Sequence, residues 1–203
     1  TYLKKHFGPE YIECYNNIDA YSGKCDFFRY CVLYNEGGWY TDWKMVCLKP
    51  LDSIKKQNVK WYSFNDNVAE IFLEDTGNNM QTAFLGCVKN HPILKDAIDT
   101  VMYNCKYKIY GKNVLDATAT GVLGRSFQKV LPILNKDELV IGDFNQSNHR
   151  GHTYEGRNAK VNAFYLNNEE IALHKCVKCV QDQVWENGNN YWIMWYDRTY
   201  FKN

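Results

Sequence analysis

The chain has 203 residues, of which 24 are basic and 23 acidic, giving a formal net charge of +1. Hydrophobic residues make up 45% and charged residues 23%, the balance of a globular domain long enough to bury a sizeable core. The near-neutral charge argues against a nucleic-acid binder working through bulk charge. No run of about 18 apolar residues offers a bilayer span, and 16% aromatics exclude intrinsic disorder.

In chain order, residues 9–17 read as a helix. A second helix runs from a Ser22 cap to about Asn35 and stops at Gly37-Gly38. It is apolar on nearly every face (Phe27, Phe28, Tyr30, Cys31, Leu33), which predicts burial. Its polar exceptions, Asp26 and Arg29, share a face at i and i+3. Residues 39–42 read as a short strand, 45–48 as an extended piece and 51–57 as a helical turn. Strands are predicted over 59–64, 68–73 and 82–88. His91-Pro92 opens a helix to about Tyr107, as Pro in a first turn should. Another helix follows Thr118. Residues 139–144 form a strand, 145–158 a polar loop with His149 and His152, and 161–166 and 171–174 two more strands. The tail from Trp185 to Phe201 is aromatic and Asn-rich.

Helices alternate with strands, and several neighbouring strands read as antiparallel. The prediction is an α/β fold, a mixed sheet with helices on both sides, in one domain over residues 1–203. Ligands of such sheets bind beyond the carboxyl ends of strands.

Most of the eight cysteines sit inside apolar runs, as at Cys31, Cys47 and Cys87. That is how free, buried thiols read; it favours a cytoplasmic setting and leaves a Golgi lumen open. Cys176 and Cys179 form a lone CxxC. Two helical thiols are the plain account of it, because a zinc site needs two further ligands.

The stretch from Cys25 to Lys44 holds the chemistry. A buried helix carries Asp26 and Arg29, a double glycine turns the backbone, and a short strand ends in Asp42 with Lys44 two residues on. Read physically, two accounts stay open. One is a local Asp26–Arg29 pair, a helix stop and a surface Asp42. The other is a place for a hard divalent cation and a phosphate, since such cations take carboxylate and phosphate oxygens.

Asp26, Arg29, Leu33, Tyr34, Gly37, Gly38, Tyr40 and Asp42 stand without gaps in a pattern that resembles the DXD-containing sugar-binding region of glycosyltransferase family 32 and its GT-A-type relatives. Weaker similarity continues at Thr82-Ala83-Phe84-Leu85, at Thr118-Ala119-Thr120-Gly121 and at Ile171-Ala172-Leu173-His174. The resemblance implies a GT-A-like sheet and transfer of a sugar from a nucleotide-sugar donor to a glycan, lipid or protein hydroxyl. The reaction would be assisted by Mn²⁺ or Mg²⁺ and, as is usual in such families, anomer-retaining. It implies donor contacts from Asp26, Arg29, Gly37, Gly38, Tyr40 and Thr118. It also implies metal ligation by Asp42 and His174, and a catalytic role for Asp42 and Lys44.

Lys44 stands where the family has its second Asp, so a cation replaces an anion beside the metal. Either Lys44 pairs with a phosphate, or the metal site is weakened and the chain is a non-catalytic carbohydrate- or nucleotide-binding module. Trp185 to Asn190 are candidate acceptor contacts, Asp143 is a candidate second-site carboxylate, and His149 and His152 are more simply solvated. Only 25 residues precede Asp26, and they read as helical. A GT-A-like fold with its first strand-helix unit missing or reduced is therefore expected.

Overall fold

The computed structural model describes residues 2–69, 73, 78–152, 158–174 and 188–202, with backbone alone at 150–152, 158 and 159. Three helices open the chain: α1 (Tyr2–His6), α2 (Pro9–Asn17) and α3 (Tyr21–Glu36). Then come β1 (Gly38–Thr41), β2 (Val46–Cys47), α4 (Leu51–Ile54), β3 (Trp61–Asp66) and β4 (Phe84–Cys87). After α5 (Pro92–Tyr107) and α6 (Thr120–Val130) come β5 (Leu139–His152), β6 (Asn158–Leu166), β7 (Glu169–His174) and α7 (Tyr191–Tyr196). The strands form one mixed sheet in the order β1-β4-β3-β5-β6-β7-β2. β3 and β5 run parallel, and the other pairings are antiparallel.

Local chemistry explains the ends of the key elements. α3 stops where the Gly37 N–H reaches the Leu33 carbonyl (2.8 Å). Gly37 has φ +69°, and a Cβ there would lie 2.7 Å from the Lys89 backbone nitrogen. Both the left-handed backbone and the close approach therefore select glycine. At the other end Ser22 is not the cap. The helix begins at Tyr21, whose N–H donates to the side-chain oxygen of Asn189 (2.8 Å). A residue 168 positions away does the work expected of a local serine. α5 begins as expected, with His91 as its N-cap and Pro92 in its first turn.

Two elements differ from the sequence prediction. The strand over 68–73 is not formed at residues 68 and 69, and residues 70–72 lie outside the described residues. The Asp66 carboxylate accepts the Ala69 N–H (3.1 Å), and the Leu73 N–H then bonds to the Ala69 carbonyl (3.1 Å). The polar loop over 145–158 begins as strand: β5 continues to His152 and pairs with β6, with a register shift between Gln146 and Arg150. Such an irregularity admits residues that break strict alternation, which is why the segment reads as loop.

Among the described residues, helical cover is unequal on the two faces. On one face α1, α2, α3, α5, α6 and α7 all contribute to one core cluster, which meets the sheet at Trp61, Leu85 and Cys87. The other face packs Tyr62, Phe64, Phe84, Phe144, Phe164 and Ala172 under Ile54 of the single turn α4. Phe164 is fully buried, and its ring meets those of Phe64 (4.9 Å), Phe84 (5.4 Å) and Phe144 (4.7 Å). Of the cysteines, Cys14, Cys31, Cys87 and Cys105 are free and buried, and Cys25 and Cys47 free and exposed. Cys176 and Cys179 lie outside the described residues. Among the described residues, no helix is long and apolar enough to cross a membrane.

Truncating Phe164→Ala should cost about 3–5 kcal/mol in urea denaturation. Ile133→Ala, at a side chain 81% exposed, should stay within about 0.5 kcal/mol. Equal losses at the two positions would contradict the aromatic cluster.

Candidate functional site

The carboxyl ends of β1 and β3 and the start of β4 open onto a cavity of about 440 Å³. Its wall includes Asp26, Arg29, Asp42, Lys44 and His174 from the sequence reading. α3 supplies Asp26 and Arg29, the residue after β1 in the ladder supplies Asp42, and the last residue of β7 supplies His174. Asp42 is held there by its backbone, whose N–H bonds to the Ala83 carbonyl (2.9 Å).

Arg29 is the centre of the group. Its side chain is almost wholly buried, with Nη2 3.4 Å from Asp26 Oδ1 and Nη1 3.5 Å from Asp42 Oδ1. Nη1 also donates to the Thr82 carbonyl (2.8 Å) and Nε to the Cys25 carbonyl (3.3 Å). The guanidinium lies over the Tyr40 ring, 4.5 Å from its centroid, a further attraction for a desolvated cation. Burial opposes its charge, but Asp26 and Asp42 outweigh that and hold its pKa above the ordinary value.

The two carboxylates diverge, although they share one cation. Burial raises the Asp26 pKa to about 6, against the lowering by Arg29 and by the Thr118 hydroxyl. Thr118 Oγ1 donates to Asp26 Oδ2 (3.1 Å) and also meets the Tyr200 hydroxyl (2.7 Å). Burial opposes the Asp42 charge too, but His174, Arg29 and Tyr40 prevail and lower its pKa to about 2. The Tyr40 hydroxyl donates to Asp42 Oδ1 (2.8 Å), and His174 Nε2 stands 3.8 Å from Asp42 Oδ2. Near neutral pH, Asp42 is therefore an anion with a cation beside it, and Asp26 is the site's readily protonated acid.

Other expected residues fall differently. Thr118 is fully buried behind Asp26. Gly37 and Gly38 lie at the far end of β1, against Cys87–Lys89, and the fold does not bring them to this cavity. Asp143 accepts from the side chains of Asn65 (3.2 Å) and Asn67 (3.3 Å) and does not line the cavity. His149 pairs with Glu170 across the sheet (3.0 Å). Asn189 and Asn190 are committed to the fold, Asn190 as the cap of α7. Trp185 and the side chain of His152 lie outside the described residues.

Sequence reasoning missed Asp66, Gln81, Tyr191, Trp192 and Tyr200, all on the cavity wall. Asp66 carried the same signal as Asp42, a carboxylate at a strand end. Tyr200 had none, since its place depends on tail pairing: Ile18 bridges Phe201, and the Asp19 N–H reaches the Tyr200 carbonyl (2.8 Å). A Cβ at Gly23 would lie 2.4 Å from the Tyr200 hydroxyl, so glycine makes room for it.

For a divalent cation the wall offers Asp42 and the His174 imidazole. Among the described residues no cluster of three His, Cys, Asp or Glu could hold one. The donor set fits a cation completed by phosphate oxygens and water, as Mg²⁺ commonly binds, and not an all-protein cage.

Residues 1–61, which contain Asp26, Arg29 and Asp42, match the family described as glycosyltransferase sugar-binding region containing DXD motif. The uncharacterized glycosyltransferase L373 of Acanthamoeba polyphaga mimivirus is 33% identical over 93 residues, 46% of this chain and 34% of the relative. The initiation-specific alpha-1,6-mannosyltransferase of Saccharomyces cerevisiae is 38% identical over 53 residues, 26% of this chain and 11% of the relative. The chain thus spans about a third and about a tenth of these relatives. Among solved structures, the PaToxG glycosyltransferase aligns with a TM-score of 0.46 and 22% identity, over 68% of this chain and 45% of that one. The resemblance read from Asp26 to Asp42 is thereby borne out by family and relatives.

The raised Asp26 pKa carries a stability signature. With about 6 in the fold and 3.8 for the ordinary group, the native state binds the extra proton. Its stabilising effect is complete below the ordinary value and is lost as pH rises through 6. Wild-type stability should therefore fall between about pH 4 and pH 7 by on the order of 3 kcal/mol relative to Asp26→Asn. Urea titrations of both proteins across that range check it; parallel curves would show that Asp26 keeps an ordinary pKa.

Proposed function

We propose that this chain carries the donor site of a glycosyltransferase. It would move a sugar from a nucleotide-sugar donor onto a hydroxyl of a glycan, lipid or protein acceptor, with Mn²⁺ or Mg²⁺ assistance. The observation that carries this reading is the buried Asp26–Arg29–Asp42 group, on the wall of a cavity beyond strand ends and inside the matched segment.

In this reading Asp42 and His174 hold the cation, which when bound takes up negative charge as the diphosphate leaves. Charge supports the assignment. Among the described residues the wall carries three carboxylates, Asp26, Asp42 and Asp66, against two fixed cations, Arg29 and Lys44. Adding an anionic diphosphate to that wall calls for further positive charge. Lys44, where the family carries an acid, supplies part of it at the phosphates, as a point charge. Arg29 is committed to Asp26, Asp42 and the Thr82 carbonyl, so its part is to fix the two carboxylates. Asp26 and the Thr118 hydroxyl behind it set the floor on which the donor rests. Tyr40 holds Asp42 and stacks on Arg29. Trp192 and Tyr191 give the wall an aromatic face of the kind sugar rings pack on. Anomeric retention is proposed from the family resemblance.

Lys44 also favours a second reading, a donor-binding module without catalysis. Donor hydrolysis in the presence of Mn²⁺ separates the two, because only a catalytic site breaks the glycosidic bond.

The test is calorimetric titration of nucleotide sugars, with a nucleotide-mannose donor first because one relative is a mannosyltransferase. Wild type should bind its donor at least about 10-fold more tightly with Mn²⁺ than with EDTA, and Asp42→Asn should lose that difference. If both proteins bind alike in either condition, Asp42 is not a metal ligand.

A further inference from the structure

We infer that Gln81 is a positioning residue for the Arg29–Asp42 pair, and that its amide is required because one end must accept hydrogen bonds while the other donates. The inference concerns the same site and takes its catalytic consequence from the glycosyltransferase reading. Its structural content stands on the hydrogen bonds alone.

Gln81 is largely buried and lines the cavity just before β4. Its Oε1 accepts two successive backbone N–H groups, Thr82 (2.9 Å) and Ala83 (3.1 Å). The carbonyls of those same two residues hold the site: Thr82 accepts from Arg29 Nη1 (2.8 Å), and Ala83 accepts from the Asp42 N–H (2.9 Å). One side-chain oxygen thus fixes the Thr82–Ala83 peptide unit, whose carbonyl takes Arg29, and the unit before it; the Ala83 carbonyl that takes the Asp42 N–H is the next along the chain. The Gln81 backbone is itself fixed, its N–H bonded to the Phe64 carbonyl (2.8 Å).

The other end of the amide sets the residue type. Gln81 Nε2 donates to Asp66 Oδ2 (3.3 Å), while Asp66 Oδ1 accepts the Ala69 N–H (3.1 Å). Asp66 is buried at the end of β3, so its orientation is set by that turn. A glutamate in place of Gln81 could still accept from Thr82 and Ala83, but its second oxygen would face the Asp66 carboxylate, a contact that repels unless the pair takes up a proton. An alanine would leave two buried N–H groups without their acceptor. Of the twenty side chains, glutamine has this reach with an acceptor and a donor at its fork.

The same logic gives a test that a merely structural role would not pass. In the double variant Asp66→Asn/Gln81→Glu the bond is rebuilt with its polarity exchanged: the new amide on β3 donates and the new carboxylate before β4 accepts. The Ala69, Thr82 and Ala83 N–H groups all keep their acceptors. Gln81→Ala, Gln81→Glu and the double variant are compared in two ways. The first is the Arg29 Nη–H signal in ¹⁵N NMR, from the group that donates to the Thr82 carbonyl, which needs no donor or activity. It should be slowly exchanging in wild type, exchange at least about 10-fold faster in each single variant, and return in the double variant. The second is donor turnover, where each single variant should lose about 10- to 100-fold in kcat/KM and the double variant should regain most of it. An Arg29 signal unchanged in folded Gln81→Glu, or a double variant no better than Gln81→Glu by NMR, would overturn the inference. If wild type turns over no nucleotide sugar, the functional reading fails and the NMR comparison still decides the role of Gln81.

Discussion

The site depends on one buried guanidinium. Taking Arg29 out of water is costly, and the cost is offset only where opposite charge and hydrogen-bond acceptors surround it. The fold gathers these from four places: Asp26 one helical turn back, the Cys25 carbonyl below it, Asp42 after β1, and the Thr82 carbonyl before β4. Each makes sense only if the others are present. Removing one carboxylate would leave the cation undercompensated, so Arg29 enforces the relative placement of α3, β1 and β4. The antiparallel register Trp39↔Gly86 and Thr41↔Phe84 brings Asp42 opposite Ala83 and within reach of Arg29.

The same cation explains how two aspartates acquire opposite characters. Asp26 is enclosed by α3, Thr118 and Tyr200, and desolvation dominates. Asp42 stands at the cavity mouth, with Tyr40 and His174 as well as Arg29 against it, and its anion is favoured. In the proposed reading, that split keeps one negative charge for a hard cation and one polar group at the cavity floor.

Much of this was legible from sequence where the cause is local. The apolar surround of α3, the Gly37 stop, the His91-Pro92 start and the Asp26, Arg29, Asp42 spacing depend on neighbours within a few residues, and the structure shows each of them. What could not be read depends on distant partners. Ser22 looks like a cap, yet Asn189 occupies that role. Residues 68–73 read as a strand, but the Asp66 carboxylate accepts the Ala69 N–H and turns the chain at its start. Gly37 carries part of a motif, although its geometry answers to the Cys87–Lys89 backbone. Gln81 gives no signal at all, because its importance lies in which carbonyls its two neighbours happen to hold.

The Tyr200 hydroxyl has a consequence for how the molecule is made. It meets Thr118, 82 positions earlier, which in turn meets Asp26, a further 92 positions back. At roughly 5–20 residues per second, about 9 to 35 seconds separate the emergence of Asp26 from that of Tyr200. Throughout that interval the nascent chain holds the acid and the arginine without the hydroxyl pair that closes over them. The apolar flank of α3 lacks its Tyr200 and Phe201 cover, a surface that a chaperone would recognise. The floor of the cavity therefore closes only after Tyr200 has emerged, 174 residues later than the Asp26 it encloses.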